Sequence, residues 1–170
     1  ALDGRLSCAV IEGDVATEND ADRIRALGVP AHQILTGGSC HLDARQIETG
    51  LVEGAMPDVD VLFIENVGNL ICPTTYDLGE DFKVVLLSVA EGDDKPVKYP
   101  AIFARAEVAV ITKSDLLPYV PFSLESVKEQ ISSLNPQGTT LVTSSLKGDG
   151  IDAWIGLLHS RLETKRRLLG

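Results

Sequence analysis

The chain of 170 residues contains three cysteines and three histidines, and two of the cysteines stand in settings that suit metal binding. Cys40 and His41 are adjacent after a glycine-rich turn, and Cys72 precedes a proline. Thiolate and imidazole groups bind Zn²⁺ and Ni²⁺ well, and a thiol at a helix N-terminus has a lowered pKa that favours binding. Three ligands leave the shell incomplete, and a two-fold dimer contact would supply a second set. The alternative is that these cysteines are small buried hydrophobes, which is how we interpret Cys8, inside a predicted strand.

A second pattern, in which an acidic residue follows a predicted strand, occurs twice and suits Mg²⁺ binding. Glu65 ends the apolar run at 59–64, and Gly68 comes three residues later. A buried strand that delivers a carboxylate, with a glycine three residues on, holds Mg²⁺ and presents a backbone amide to a γ-phosphate. Asp14, after the first strand, offers the ion a second carboxylate. The alternative for both carboxylates is that each caps the helix that follows it.

A third pattern suits a guanine base. Asp115, after a strand, can accept two hydrogen bonds from guanine N1 and N2, and the stem of Lys113 can lie over the purine face. The segment resembles the Asn-Lys-x-Asp motif of GTPases, with Thr112 in place of the asparagine. After the next strand, residues 143–148 resemble the Ser-Ala-Lys loop that closes over the base with backbone amides, here those of Ser145, Leu146 and Lys147. The alternative for the first segment is a common solvated turn, and for the second a Ser- and Gly-rich turn between a strand and a helix.

The elements that must position these residues alternate along the chain. Strands are predicted at 6–11, 33–35, 59–64, 83–89, Val108–Thr112 and 139–143, and helices at 18–27, 42–53, 96–106, 123–134 and Ile151–Leu169, with Ser126 as a second candidate start for the fourth helix. Such alternation predicts βαβ units and therefore an α/β fold, a doubly wound and mainly parallel sheet with helices on both faces. Ligands bind such sheets beyond the carboxyl ends of the strands, where the residues above gather.

Composition narrows the function classes. Fifteen basic against twenty-five acidic side chains give a net charge of −10, which argues against a nucleic-acid partner. The apolar runs are too short to cross a bilayer, so no membrane role is expected. Three cysteines fit a reducing cytoplasm better than a disulfide framework.

Several longer segments together resemble one family, the HypB proteins, which are nickel-inserting GTPases of [NiFe]-hydrogenase maturation within the SIMIBI class of P-loop GTPases. The segments are Val10-Ile11-Glu12-Gly13-Asp14, Gly37-Gly38-Ser39-Cys40-His41-Leu42-Asp43, Ile64-Glu65-Asn66-Val67-Gly68-Asn69-Leu70, Cys72-Pro73 and Ser88-Val89-Ala90-Glu91-Gly92-Asp93-Asp94-Lys95-Pro96. The resemblance covers about residues 6–158.

The resemblance implies GTP and Mg²⁺ binding, slow GTP hydrolysis and a GTP-linked homodimer. It also implies Ni²⁺ or Zn²⁺ at the dimer interface, and hydrogenase maturation proteins and the hydrogenase large subunit as partners. Transferred residue by residue, it gives Cys40, His41 and Cys72 for the transition metal, Asp14 and Glu65 for Mg²⁺ and catalysis, and Lys113 and Asp115 for guanine.

One departure from the family pattern is large. No stretch of the chain matches the phosphate-binding loop Gly-x-x-x-x-Gly-Lys-Ser/Thr. We therefore expect residues 1–170 to form a single G-domain that is incomplete at its N-terminus, without the first strand and the phosphate loop. A degenerate relative that no longer hydrolyses GTP is the other explanation.

Two alternative functions stay open. One is a non-catalytic module that stores or passes Ni²⁺ or Zn²⁺. The other is a nickel- or cobalt-insertion GTPase for another target, such as urease. Urease accessory GTPases join Cys, Pro and His in one motif, whereas Thr74 follows Pro73 here, which favours the hydrogenase branch.

Overall fold

The computed structural model describes residues 6–15 and 19–170, in which strands and helices alternate. The strands are β1 (Cys8–Asp14), β2 (Ala31–Leu35), β3 (Val61–Glu65), β4 (Val84–Ser88), β5 (Val108–Thr112) and β6 (Thr139–Val142). The helices are α1 (Asn19–Ala26), α2 (Ala44–Glu53), α3 (Lys95–Lys98), α4 (Pro100–Arg105), α5 (Leu124–Leu134) and α6 (Ile151–Leu169), with 3₁₀ turns at Cys72–Thr75, Val89–Glu91 and Ser114–Tyr119. The predicted α/β class is confirmed. No helix in the described ranges is long and apolar enough to span a bilayer.

The first compact unit comprises the residues through Glu80 together with Leu162–Gly170. Its sheet has the order β2-β1-β3, and both strand pairs are parallel. A core of four buried side chains stabilises it: Ile11, Leu42, Ile47 and Leu78. Because the strands are parallel, the segments that follow β1, β2 and β3 all emerge at one end of this sheet.

The second unit comprises Asp81–Arg161 and contains a parallel sheet of order β4-β5-β6. The central strand β5 is buried for four of its five residues. Strand β4 lies at an edge, and Leu86 in its middle is 60% exposed. The described strands are thus shared between two three-stranded sheets, and one domain over residues 1–170 stays a prediction.

Several predicted boundaries move. Strand β1 runs through Asp14 and β3 through Glu65, so these carboxylates are the last residues of strands rather than the first of loops. The helix predicted at 96–106 is two short helices, because Pro100 has no N–H to donate and the residue before a proline is forced out of helical geometry. Tyr99 accordingly has φ −127° and ψ 55°. Residue 18, the predicted start of the first helix, lies outside the described residues.

Helix α2 begins with a reciprocal cap that the sequence analysis did not assign. The Asp43 carboxylate accepts from the Gln46 backbone N–H at 2.8 Å, and the Gln46 side chain accepts from the Asp43 N–H at 2.9 Å. This capping box fixes the helix start directly after Cys40 and His41. In contrast, Ser123 stands at the cap position of α5 without a side-chain capping bond.

Candidate metal and nucleotide sites

The first unit brings Cys40 and Cys72 together. Cys40 lies between β2 and α2, whereas Cys72 opens the 3₁₀ turn after β3. The thiol of Cys72 is within hydrogen-bonding reach of the Cys40 sulfur. Cys40 is exposed and Cys72 half-buried, so a solute ion has access to the pair. The third cysteine, Cys8, is the first residue of β1 and therefore lies at the amino end of the same sheet.

His41 stands beside this thiol pair. Its Nδ1 is 3.7 Å from the Cys40 sulfur, and its ring stacks on Tyr76, with 3.7 Å between ring centroids and 22° between planes. Stacking limits the orientations of the imidazole before any ion arrives. The sequence analysis missed Tyr76, because nothing in its spacing from Cys72 signals a contact with a histidine 35 residues earlier.

Two asparagines join the loops that carry these groups. Asn66 accepts at Oδ1 from the Leu42 backbone N–H at 2.9 Å. Asn69 donates from Nδ2 to the Cys40 carbonyl at 2.7 Å and accepts at Oδ1 from the Cys72 N–H at 2.8 Å. Both residues were quoted only as part of a family motif and had no assigned role.

Cys72 shows the opposite of the lowered pKa that a thiol at a helix N-terminus has. Its pKa is raised, first by the hydrogen bond with Cys40, then by burial and by the charge that Cys40 would carry as a thiolate. A four-residue 3₁₀ turn aligns few peptide dipoles, so the neighbouring thiol dominates. In the described part of the chain, no group of three or more His, Cys, Asp or Glu side chains is arranged to hold a metal ion, so Cys40, His41 and Cys72 do not form a three-ligand site within one copy.

Three acidic side chains lie near the C-terminal ends of β1 and β3. Glu12 and Glu65 are register partners on these adjacent strands, and Asp14 lies two residues beyond Glu12. Glu12 is only 4% exposed, and its Oε2 has no hydrogen-bond partner among the described residues. Burial and then the Glu65 charge raise the pKa of Glu12, whereas desolvation and the Asp20 charge raise the pKa of Glu65. Because oxygen ligands and uncompensated negative charge suit a hard divalent cation, this donor set fits Mg²⁺.

Gly68 follows β3 by three residues, as predicted, and the space around it is open: a Cβ placed there would meet no atom within 4 Å. Glu12 is the acidic residue that the sequence analysis did not assign. Its alternation with Asp14 on one face of a strand could have identified it.

The second unit joins the two predicted base-binding segments. The Ser144 hydroxyl donates to Asp115 Oδ1 at 2.5 Å and accepts from the Lys147 N–H at 3.1 Å. The Ser114 N–H donates to the Thr143 carbonyl at 3.0 Å. Ser144 is fully buried and was not among the predicted site residues.

The other residues predicted to bind the guanine base are exposed. Lys113 has a left-handed backbone, with φ 59° and ψ 38°, where the chain leaves β5. Ser145, Leu146 and Lys147 all face solvent, and Leu146 is 84% exposed. Gly150 closes the loop at φ 71°, and a Cβ there would lie 2.0 Å from the Val142 carbonyl oxygen, so only glycine fits.

A known protein family matches most of the chain. The family described as "CobW/HypB/UreG, nucleotide-binding domain" matches residues 2–142. The chain belongs to this family. The HypB resemblance is also supported by the hydrogenase maturation factor HypB of Escherichia coli K12, which is 48% identical over 160 residues, or 94% of this chain and 55% of that protein.

Other relatives agree. The hydrogenase/urease maturation factor HypB of Helicobacter pylori J99 is 45% identical over 161 residues, covering 92% of this chain and 65% of that protein. The crystal structure of Helicobacter pylori HypB in complex with nickel superposes with a TM-score of 0.90 at 41% identity, over 95% of this chain and 77% of that one. Archaeoglobus fulgidus HypB gives a TM-score of 0.86 at 39% identity, over 95% and 78%. The chain thus spans a little over half the length of the curated HypB from E. coli that it matches.

Proposed function

We propose that this chain is the G-domain of a nickel-delivering GTPase for [NiFe]-hydrogenase maturation, working as a cytoplasmic homodimer. The observation that carries the proposal is the contact between the Cys40 and Cys72 thiols, which come from two separate loops. The names of the HypB relatives and the nickel bound by the Helicobacter pylori neighbour support nickel as the cargo.

In this proposal, Cys40 and Cys72 bind the cargo ion as thiolates and His41 binds it through its ring. One copy offers at most these three ligands, so a second copy related by a two-fold axis completes the shell. Zn²⁺ accepts the same ligand set and would compete with Ni²⁺. Hydrogenase maturation proteins and the hydrogenase large subunit are the proposed recipients.

For the nucleotide, we assign Asp115 to accept from guanine N1 and N2 and Lys113 to cover the purine face, with the backbone amides of Ser145, Leu146 and Lys147 closing the loop. Asp14 and Glu65 would hold Mg²⁺, which neutralises charge on the phosphates when bound. The Gly68 amide donates to a γ-phosphate oxygen. In hydrolysis, water bonds to the γ-phosphorus and the bond to the β-phosphate oxygen breaks, which gives GDP and inorganic phosphate.

Metal titration tests the cargo site. We expect Ni²⁺ and Zn²⁺ affinity to fall at least about tenfold in Cys72→Ala, because thiolate ligands are lost. Cys8→Ala is the matched control and should keep wild-type affinity, since Cys8 lies at the other end of the sheet. Equal metal affinity in wild type, Cys72→Ala and Cys8→Ala would refute the proposed cargo site.

Steady-state GTP hydrolysis tests the enzymatic part. It should be measured on this chain and on a chain extended at its N-terminus, because the 170 residues contain no Gly-x-x-x-x-Gly-Lys-Ser/Thr loop. Backbone amides and the lysine of such a loop neutralise the β- and γ-phosphates, so we expect activity in the extended chain. An inactive extended chain would refute the GTPase assignment.

A second candidate is a metal-binding module without catalysis, which the contact between the Cys40 and Cys72 thiols would support equally. This candidate predicts that this chain and the extended chain bind the metal with the same affinity and that neither hydrolyses GTP. Urease is a further candidate recipient of the metal, since the Helicobacter relatives are named hydrogenase/urease maturation factors. Copurifying partners distinguish the two recipients.

A further inference from the structure

Asn69 connects the two loops that carry the thiols, although it has no metal-binding group itself. We propose that Asn69 is a positioning residue, which holds Cys40 and Cys72 at a separation that one ion can bridge and thereby sets the affinity for the cargo. This inference rests on the proposed function, because it takes the two cysteines as ligands.

The contacts of Asn69 reach both thiol-bearing residues through their backbones. Its Nδ2 donates to the Cys40 carbonyl at 2.7 Å, and its Oδ1 accepts from the N–H groups of Cys72 at 2.8 Å and Ile71 at 3.1 Å. The Asn69 backbone is itself fixed by donation to the Val67 carbonyl at 2.7 Å. Because all these bonds involve main-chain atoms of the cysteine loops, both sulfurs stay available for an ion.

Only a side-chain amide of this length makes this connection. It donates on one side and accepts on the other, whereas a carboxylate accepts only and alanine does neither. Asparagine is therefore chemically specified at position 69, beyond its role in filling space. Two loops that are already joined lose less conformational freedom when an ion binds, so the connection favours chelation.

Asn66 provides an internal comparison. Its Oδ1 accepts from the Leu42 and Val67 N–H groups, both at 2.9 Å, so it holds the same loop two residues from Cys40 without touching a cysteine. If loop attachment in general set the affinity, Asn66 and Asn69 would matter equally. If thiol separation sets it, Asn69 dominates.

The first experiment measures metal binding by the full chain in a Cys8→Ser background, so that two thiols remain. Co²⁺ reports the number of thiolates through the intensity of its thiolate charge-transfer absorption, and Zn²⁺ competition gives the affinity. We expect Asn69→Ala to weaken Zn²⁺ binding about 10- to 100-fold, as loss of a group that orients metal ligands does. At saturating Co²⁺, its band should show fewer thiolates per ion than wild type.

Two further variants separate positioning from folding. Asn69→Asp keeps the acceptor for Cys72 and Ile71 but loses the donor to Cys40. We therefore expect this variant to fold but to bind Zn²⁺ more weakly than wild type does. Asn135→Ala is the matched control, because Asn135 also bridges two backbone segments, donating to the Ala106 carbonyl at 2.9 Å and accepting from the Gln137 N–H at 3.2 Å, in the other unit. We expect the control to bind metal like wild type.

The second experiment needs no metal. Phenylarsine oxide forms two As–S bonds with a close pair of thiols and releases water, so its capture reports thiol separation directly. Wild type should capture it, Cys72→Ala should not, and Asn69→Ala should do so at least about tenfold more slowly if its loops drift apart.

The two experiments distinguish two kinds of failure. Capture of the arsenical by wild type without any Co²⁺ or Zn²⁺ binding would refute the proposed cargo site, and slower capture by Asn69→Ala would then still support thiol positioning by Asn69. Wild-type behaviour of both Asn69→Ala and Asn69→Asp in both assays would overturn the inference, whatever the metal affinity of the wild type.

Discussion

Removal of the buried Ser144 hydroxyl should break the side-chain connection between the two loops assigned to the guanine base. In the second unit, the Ser144 hydroxyl donates to the Asp115 carboxylate at 2.5 Å and accepts from the Lys147 N–H at 3.1 Å. Ser144 is fully buried, so water cannot replace either bond without rearrangement. Ser144→Ala deletes both bonds and little volume.

The magnitude follows from the two bonds. A hydrogen bond to a charged group contributes about 1.5–3 kcal/mol, and a neutral one about 0.5–1.5 kcal/mol. Because neighbouring bonds are not additive, we expect the free energy of unfolding to fall by about 2–4 kcal/mol. Asp115 also loses the donor that orients it, so guanine-nucleotide affinity should fall at least about tenfold, which corresponds to roughly 1.4 kcal/mol.

Urea unfolding followed by circular dichroism measures the stability change, and a fluorescent GDP analogue measures affinity in a chain that binds nucleotide. Ser133→Ala is the matched control: its hydroxyl donates to the Glu129 carbonyl at 2.8 Å on the exposed surface of α5. We expect a change below about 0.5 kcal/mol for this control. If Ser144→Ala and Ser133→Ala unfold at the same urea concentration, the buried bond to Asp115 contributes nothing and the argument is wrong.

Three further predictions concern the first unit. Asp43→Ala removes the capping box of α2 and should cost about 1 kcal/mol, measured by thermal unfolding, and an unchanged midpoint would contradict the cap. Gly13→Ala places a Cβ 2.7 Å from the fully buried Leu42 side chain and should destabilise the fold by about 1–3 kcal/mol in urea, against Gly68→Ala as the open-space control. Hydrogen bonds from the Ser7 backbone and hydroxyl and the charge of Arg166 lower the pKa of Asp60, so its stabilisation is present above the unfolded pKa and is lost as pH falls through the folded pKa. Asp60→Asn should therefore be less stable than wild type at neutral pH, with a gap that closes in acid, and a gap independent of pH would refute this assignment.

The alternation of strands and helices was predictable because it depends on local patterns. The prediction of a buried strand at 59–64 is wrong, because β3 lies at an edge of its described sheet and is only half-buried over Val61–Ile64. The parallel sheet that alternation implies accounts for the approach of Cys40 and Cys72. The break between α3 and α4 also had a local signal in Pro100, since proline disfavours helix in the residue before it.

The roles of Asn69 and Ser144 were not predictable in the same way. Each bonds to groups at least two dozen residues away or in another loop, and such bonds exist only after the loops are placed. The raised pKa of Cys72 has the same origin, because its largest cause is a thiol 32 residues earlier in the chain. Local sequence gives the chemistry of these side chains but not their neighbours.

The edge strand β4 has a practical consequence for handling this protein. Its sequence Val-Val-Leu-Leu-Ser has high β propensity and no charge, and among the described strands it pairs with β5 alone. An uncharged edge with an exposed leucine is a template onto which another extended chain can add. In concentrated solution we therefore expect aggregation to start at this strand, and Leu86→Lys, which places a charge at the exposed position, should suppress the resulting light scattering.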